Sequence, residues 1–366
     1  MQAFSRRYFS QGFHDITFAA EWSPWPANAP AKPNIENPPS LGLPPPNTLD
    51  QRALLTLLRQ PAEVYFKHHL QVSLDLPDSP EDDSEPFEWQ GLHGYLGRQQ
   101  VVQSETPQVE LQHLKMRGEL ALAAMGQDQQ TQLLALREQL WRSVSTWLHA
   151  QDTPVPPQLW RQDTDGGRLT LTWGGEWPRW RQRADGSLVQ IDWRPSKVLA
   201  KDALAPLWLG HLAACASGHP TQSVQSGEDG VLVLVSLSPE KAQALLQDMV
   251  ALYQEAWAKP LPLPSKTALR YLHAWTQALA KDPDHPMATQ RADRVAHEQA
   301  QATFEGQGDR DGEWARNPCL QRLYQRYQDL DLATFTQLAH RLYQPMHQAC
   351  QTMAPETHDH PVEDAA

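Results

Sequence analysis

The residues best placed to do chemistry are Asp192 and Arg194, two apart in the run Ile191-Asp192-Trp193-Arg194. On a strand, residues two apart face the same way. A carboxylate paired like this with a lysine, and with a second carboxylate on the adjacent strand, holds Mg²⁺ and steadies water for attack on a phosphodiester. The adjacent strand would be Gly175-Glu176-Trp177-Pro178-Arg179-Trp180, joined through a turn at Asp185-Gly186 and followed by an apolar helix from Leu207 to Cys215. That frame is present, but its chemistry is not. Pro178 stands where the first metal-binding acid belongs, and Arg194 where the lysine belongs. Proline offers a cation no ligand, and a guanidinium is not a compact, tunable amine. Asp192 by itself is a poor Mg²⁺ site, and Glu176 lies two residues before Pro178. The sequence predicts three vestigial positions, Pro178, Asp192 and Arg194, with no catalytic or metal-binding residue.

Basic and aromatic residues crowd the same hairpin. Trp173, Trp177, Trp180 and Trp193 interleave with Arg168, Arg179, Arg181, Arg183 and Arg194. Such a mixture can pair with phosphates and stack on bases, each stacked base contributing about 1–3 kcal/mol. Alternation sends Arg179, Arg181 and Arg183 to one face. Arg179, Arg181, Arg183 and Arg194 are therefore the candidate DNA-binding residues. The plainer alternative is a solvated arginine face over a tryptophan core. His68-His69 point different ways on a helix, and His211 and Cys215 share a face without a third ligand, so both pairs read as surface or packing residues and not as metal sites. Gly306-x-Gly308 reads as a loop, because no Lys-Ser/Thr follows it. Cys215, Cys319 and Cys350 are too sparse for a disulfide framework.

The elements that must carry these residues follow from periodicity. Residues 1–48 are Pro-rich and predict an extended lead-in. Helices are expected over 49–58, 61–70, 88–103 and 109–150, with an acidic loop from Asp75 to Glu88 between the second and third. Strands are expected at 169–173 and 188–193, an apolar helix at 203–217, a buried strand at 231–235 and an amphipathic helix at 239–259. Helices then fill most of the chain to 352, and an acidic tail covers 353–366. The expected fold is α/β: a small mixed sheet with flanking helices and extensive helical decoration, divided into a helical part at 49–150, an α/β core at 158–260 and a helical part at 265–352. A net charge of −12 neither supports nor excludes nucleic acid, since the acidic loop and tail hold much of it. With 14 tryptophans and 40% hydrophobic residues the chain can bury a real core. No apolar run is long enough for a membrane helix, and the N-terminus lacks a secretory pattern, so no membrane partner and a cytoplasmic location are expected.

The hairpin frame resembles a degenerate PD-(D/E)xK nuclease core of the RecB-like kind. The helix that carries a histidine in those enzymes corresponds to residues 117–126, where there is none; Glu119 there reads as a helix-start acid. The ordered set of segments is similar to the RecC family, the gamma subunits of exodeoxyribonuclease V. It comprises residues 207–218 (Leu207-Trp208-Leu209-Gly210-His211 onward), Met116-Arg117-Gly118-Glu119-Leu120 with Gly126, and Glu85-Pro86-Phe87 with Gly91-Leu92. It also takes in Gln2-Ala3-Phe4-Ser5, Ala20-Glu21-Trp22, Tyr253-Gln254-Glu255-Ala256, Pro260-Leu261, Phe304-Glu305-Gly306 and Leu320-Gln321-Arg322-Leu323-Tyr324. The resemblance implies the C-terminal, nuclease-like domain of that family, with the inactive helicase-like domains lying before Met1. It implies partners RecB and RecD and forked or single-stranded DNA, in an ATP-driven assembly that processes double-strand breaks for homologous recombination. ATP and Mg²⁺ would be used by the partner subunits, with no cofactor in this chain. Two alternatives stay open: an active nuclease built from Glu119, Glu176 and Asp192, and a module that only holds RecD.

Overall fold

The computed structural model describes residues 44–74, 91–121, 123–175, 179–281, 283, 285–308 and 310–353, with side chains at 91–93 and 202 not described. The chain divides into two units, Met1–Pro44 and Pro45–Ala366, and every element below belongs to the second. The Pro-rich lead-in up to residue 43, the acidic loop and the acidic tail from residue 354 lie outside the described residues, while Met353, expected to open the tail, ends a strand.

A helical stretch opens the unit. After β1 (Thr48–Leu49), α1 (Gln51–Arg59) starts where the Asp50 carboxylate accepts from the Ala53 N–H. It is followed by α2 (Pro61–Glu63), which runs on as a π-turn over Val64–His69. Then come α3 (Gly91–Gln103), α4 (Pro107–Met116) and α5 (Ala123–Ser145). The helices expected over 109–150 are these last two. Gly118 adopts φ +72, a left-handed conformation that ends a helix, and α5 begins only after the turn.

Two sheets follow. β2 (Thr153–Pro154), β5 (Trp180–Gln182), β6 (Leu188–Trp193), β7 (Thr221–Gly227), β8 (Gly230–Leu234) and β11 (Cys350–Met353) form a six-stranded mixed sheet in the order β11-β8-β7-β6-β5-β2. Its one parallel pair is β6–β7, linked by the crossover helix α6 (Ala205–Ala216). A separate sheet joins β3 (Gln158–Thr164) and β4 (Gly167–Trp173) with β1, in the order β1-β4-β3.

Sequence alone placed β4 and β6 on either side of the Asp185-Gly186 turn; β4 instead pairs with β3. The two-residue turn Asp165-Gly166 lies closer and closes at lower entropic cost. The true partner of β6 across Asp185-Gly186 is β5, with Trp180 opposite Gln190. So the strand expected over 175–180 occurs at 180–182, and residues 176–178 lie outside the described residues. β3, β7 and β11 were also not foreseen. β3 buries only Trp160, β7 is polar although buried, and β11 continues directly from a helix.

The helices that complete the unit are α7 (Pro239–Ala258), α8 (Ser265–Lys281), α9 (Ala288–Glu305), α10 (Pro318–Leu323) and α11 (Leu332–Ala349), with a tight β9–β10 hairpin (Gly306–Gln307, Arg310–Asp311) after α9.

Alternation along β6 sorts the layers. Val189, Ile191 and Trp193 point toward Val102 of α3 and Leu140 and Val144 of α5. Leu188 points the other way, into the large core built around α6. That helix is apolar all round and almost wholly buried, as a helix clamped between a sheet and further helices must be. Gly210 lets it approach closely: a Cβ there would lie 3.0 Å from the Gln190 amide and 3.2 Å from the Trp180 ring. The result is the expected α/β fold, a six-stranded mixed sheet with helices on both faces.

Candidate nucleic-acid-handling site around Asp192

Strand β6 is built from residues that favour a half-buried pleat, and Asp192 is its exception. At 6% exposure it is too buried to remain an unpaired carboxylate. Its Oδ2 accepts from Arg194 Nε at 2.8 Å and from Gln225 Nε2, on neighbouring β7, at 3.0 Å. Its Oδ1 lies 3.6 Å from Arg179 Nη1. Arg179 is held from behind, since its Nη2 donates to Gln103 Oε1 at 3.0 Å. Gln103 Nε2 donates in turn to the Trp193 carbonyl at 2.9 Å, and the Trp193 indole donates to the Val102 carbonyl at 3.0 Å. The end of α3 thus pins the end of β6, and the arginines with it.

This arrangement opposes a metal. Both carboxylate oxygens already face guanidinium groups. At an effective dielectric of ~20, two unit charges 4 Å apart interact by about 4 kcal/mol, and a dication beside a guanidinium would be repelled by about twice that. Among the described residues, no group of three or more His, Cys, Asp or Glu side chains is placed to hold a metal ion. Glu119 sits in the turn between α4 and α5, not on a helix as expected, and pairs with Arg117 at 2.8 Å. Pro178 and Glu176 lie outside the described residues.

The candidate arginines do not form one free row. Arg179 and Arg194 are committed to Asp192, Arg181 Nη1 donates to the Asp152 carbonyl at 3.4 Å, and Arg168 pairs with Asp163 at 2.7 Å. Arg183, half-buried at the β5–β6 turn, donates its backbone N–H to the Ser187 carbonyl. Trp173, Trp180 and Trp193 are buried, Trp173 against Trp180 and Trp193 against Trp141. They are core, and Trp177 lies outside the described residues.

A second buried polar chain lies deeper on the same face of the sheet. His211 of α6 is fully buried; its Nε2 donates to the Val235 carbonyl at 3.1 Å, and its Nδ1 lies 2.9 Å from Ser223 Oγ. The Ser223 hydroxyl donates to Gln190 Oε1 at 2.9 Å. Burial pushes the His211 pKa down to about 4, so the ring is neutral. Cys215 Sγ lies 3.7 Å from His211 Nε2 in a buried contact. His68 is likewise occupied, 3.1 Å from the Tyr253 hydroxyl. Sequence reasoning missed Gln103, Gln190, Ser223 and Gln225. Ser223 and Gln225 lie in the polar run Thr221-Gln222-Ser223-Val224-Gln225-Ser226, which has no apolar alternation to mark a strand.

A family model described as the RecC C-terminal domain matches residues 46–276, well over half of the chain. The chain belongs to the RecC C-terminal domain family. It is also similar to the RecBCD enzyme subunit RecC of Escherichia coli (strain K12), 29% identical over 256 residues that cover 67% of this chain and 21% of that relative. The matched stretch thus spans about a fifth of that relative's length. In this RecC-family domain the family match takes in the whole Asp192 cluster, the crossover helix α6 and most of α8, while α9 to α11 and β11 lie beyond it. No helix among the described residues is long and apolar enough to cross a membrane.

Proposed function

We propose that this chain is a non-catalytic DNA-handling and assembly domain of a RecBCD helicase–nuclease (exodeoxyribonuclease V), acting in the cytoplasm on broken duplex ends. Its partners would be RecB, RecD and forked or single-stranded DNA. The observation that carries the reading is the clasp on Asp192. In a nuclease of the PD-(D/E)xK kind this position ligates Mg²⁺ beside a lysine; here Arg194 and Arg179 fill the place a cation would take. The β5–β6 hairpin, the crossover α6 and the parallel β7 supply the frame such a core needs. The charge pattern that hydrolysis needs is absent from the described part of that frame. An assembly role is favoured by exposed large apolar side chains on α3, α4 and α5, where Leu96, Val109, Met116 and Met125 are each more than two-fifths exposed.

The test incubates the purified chain with labelled duplex and single-stranded DNA in Mg²⁺ or Mn²⁺. Expected are no cleavage and weak binding whose logarithm falls linearly with log salt, at about 0.7 per phosphate contacted on a single strand. Arg181→Ser and Arg183→Ser should each flatten that slope without removing a pair to Asp192. Robust cutting that disappears in Asp192→Asn would overturn the non-catalytic reading. A pull-down of RecB and RecD with the chain, with and without a forked duplex, tests the assembly reading; no capture under either condition would remove it.

A further inference from the structure

Away from the Asp192 cluster, basic side chains from three elements converge at the seam of α8, α11 and the turn before α6. Lys201 adopts a left-handed backbone, φ +64, that side chains rarely hold unless their surroundings demand it. The turn is fixed around it: the Lys201 N–H donates to the Val198 carbonyl at 2.8 Å, and Val198 N–H donates to Asp229 Oδ1 at 2.7 Å. Lys201 is only 7% exposed, which is unusual for a lysine that has no carboxylate partner among the described residues. The turn at 202–204 packs on α8, and α8 packs on α11. His273 of α8 and His347 of α11 lie with ring centroids 6.2 Å apart, and His347 Nε2 is buried with no hydrogen-bond partner. Arg270 lies one helical turn before His273.

These groups disfavour one another's charge. Burial lowers the Lys201 pKa; burial, then Lys201 and Arg270, lower that of His273; and burial, then Lys201 and His273, push His347 down to about 4. The one acidic influence on Lys201 is the Cys350 thiol on β11. Among the described residues, none of the four basic groups is ion-paired with a carboxylate. A buried lysine beside two imidazoles is an arrangement that a bound anion stabilises, since a phosphate oxyanion can accept from the ammonium and from ring N–H groups together.

We propose that Lys201, His273 and His347, with Arg270 at the rim, form a binding site for a single phosphate group. The group is either free phosphate or one phosphodiester of a nucleic-acid backbone. The site is separate from the arginines at Asp192, so its failure and the failure of the DNA-handling reading are distinguishable.

The experiment titrates the full chain with inorganic phosphate at constant ionic strength, by calorimetry and by thermal melting against matched chloride. Lys201→Asn is the principal variant, because asparagine accepts a left-handed backbone, and its phosphate-dependent rise is read against its own basal melting temperature. Expected is saturable binding below ~10 mM phosphate with a matching rise in melting temperature, weakened at least tenfold in Lys201→Asn. His347→Gln serves as a second variant if the first melts early, and should weaken phosphate in the same direction. A short oligonucleotide without terminal phosphate is then added. Competition with phosphate assigns the site to a nucleic-acid backbone; no competition assigns it to free phosphate. Absence of saturable binding, or the same affinity and thermal shift in wild type and both variants, would overturn the proposal, because the rise would then be the general effect of an excluded salt.

Discussion

Asp192 is held by two guanidiniums and an amide, so its removal strands three groups at once. Breaking a buried ion pair by deleting one partner costs about 3–5 kcal/mol, because the remaining charge stays buried. Asp192→Ala should lose stability in that range by urea denaturation, and Asp192→Asn less, since an amide oxygen still accepts from Arg194. A loss below ~1 kcal/mol would mean that the clasp is not structural.

His211 makes a pH prediction. Its folded pKa of about 4 lies below the ordinary value of 6.5, so the fold favours the neutral ring. Above pH 6.5 both states are neutral and nothing is lost. As pH falls from 6.5 toward 4 the unfolded chain takes up a proton that the folded ring refuses, and stability drops by roughly 3 kcal/mol in all before levelling off. The difference in melting temperature between wild type and His211→Gln should therefore shift across that window in favour of the variant. A pH-independent difference would refute the assignment.

At the scale of elements, α8 depends on a residue far along the chain. Glu313 accepts from the backbone N–H groups of Lys266 and Thr267 at 3.1 and 2.7 Å, and from the Thr267 hydroxyl at 2.8 Å. It supplies the cap that α8 would otherwise lack, from 46 residues beyond Thr267. Glu313→Ala should cost about 1–2 kcal/mol, and Glu313→Gln about half as much. Hydrogen exchange at the Lys266 and Thr267 amides reads the loss directly. This cap was illegible in the sequence because its partners are distant. By contrast α6 and α7 were legible, since an apolar run and a capped amphipathic pattern (Ser238 accepting from Lys241 N–H) are local signals. Among the strands, β6 and β8 declared themselves through β-branched residues. β7 did not, because its buried Gln225 and Ser223 serve Asp192 and His211.

The whole unit is closed by its last strand. β11 pairs antiparallel with β8, Cys350 opposite Leu234 and Met353 opposite Val231, so residues from the end of the described chain cover the edge of the central sheet. The beginning is tied to the same body, as Tyr343 of α11 donates to the Leu58 carbonyl at 2.9 Å and Ser265 of α8 donates to the Arg59 carbonyl at 2.5 Å. A chain ending at Ala349 should lose about 2–4 kcal/mol, from the ladder bonds of a four-residue pairing at ~1 kcal/mol each, and aggregate through the bared β8 edge. A chain ending at Met353 serves as the control. Equal melting temperatures and equal solubility for the two would show that β11 adds nothing.

The sequence by itself determined the class of fold, the apolar helix α6 and an arginine two residues after Asp192, because these rest on local periodicity and on which atoms a side chain carries. Its ordered segments also pointed to the RecC family. Tertiary structure decided where the charges went. Only the assembled sheet brings Gln225 and Arg179 onto Asp192, and only the packed helices set Lys201 beside two histidines. Burial and pairing are properties of neighbours distant in the chain, and no window of sequence contains them.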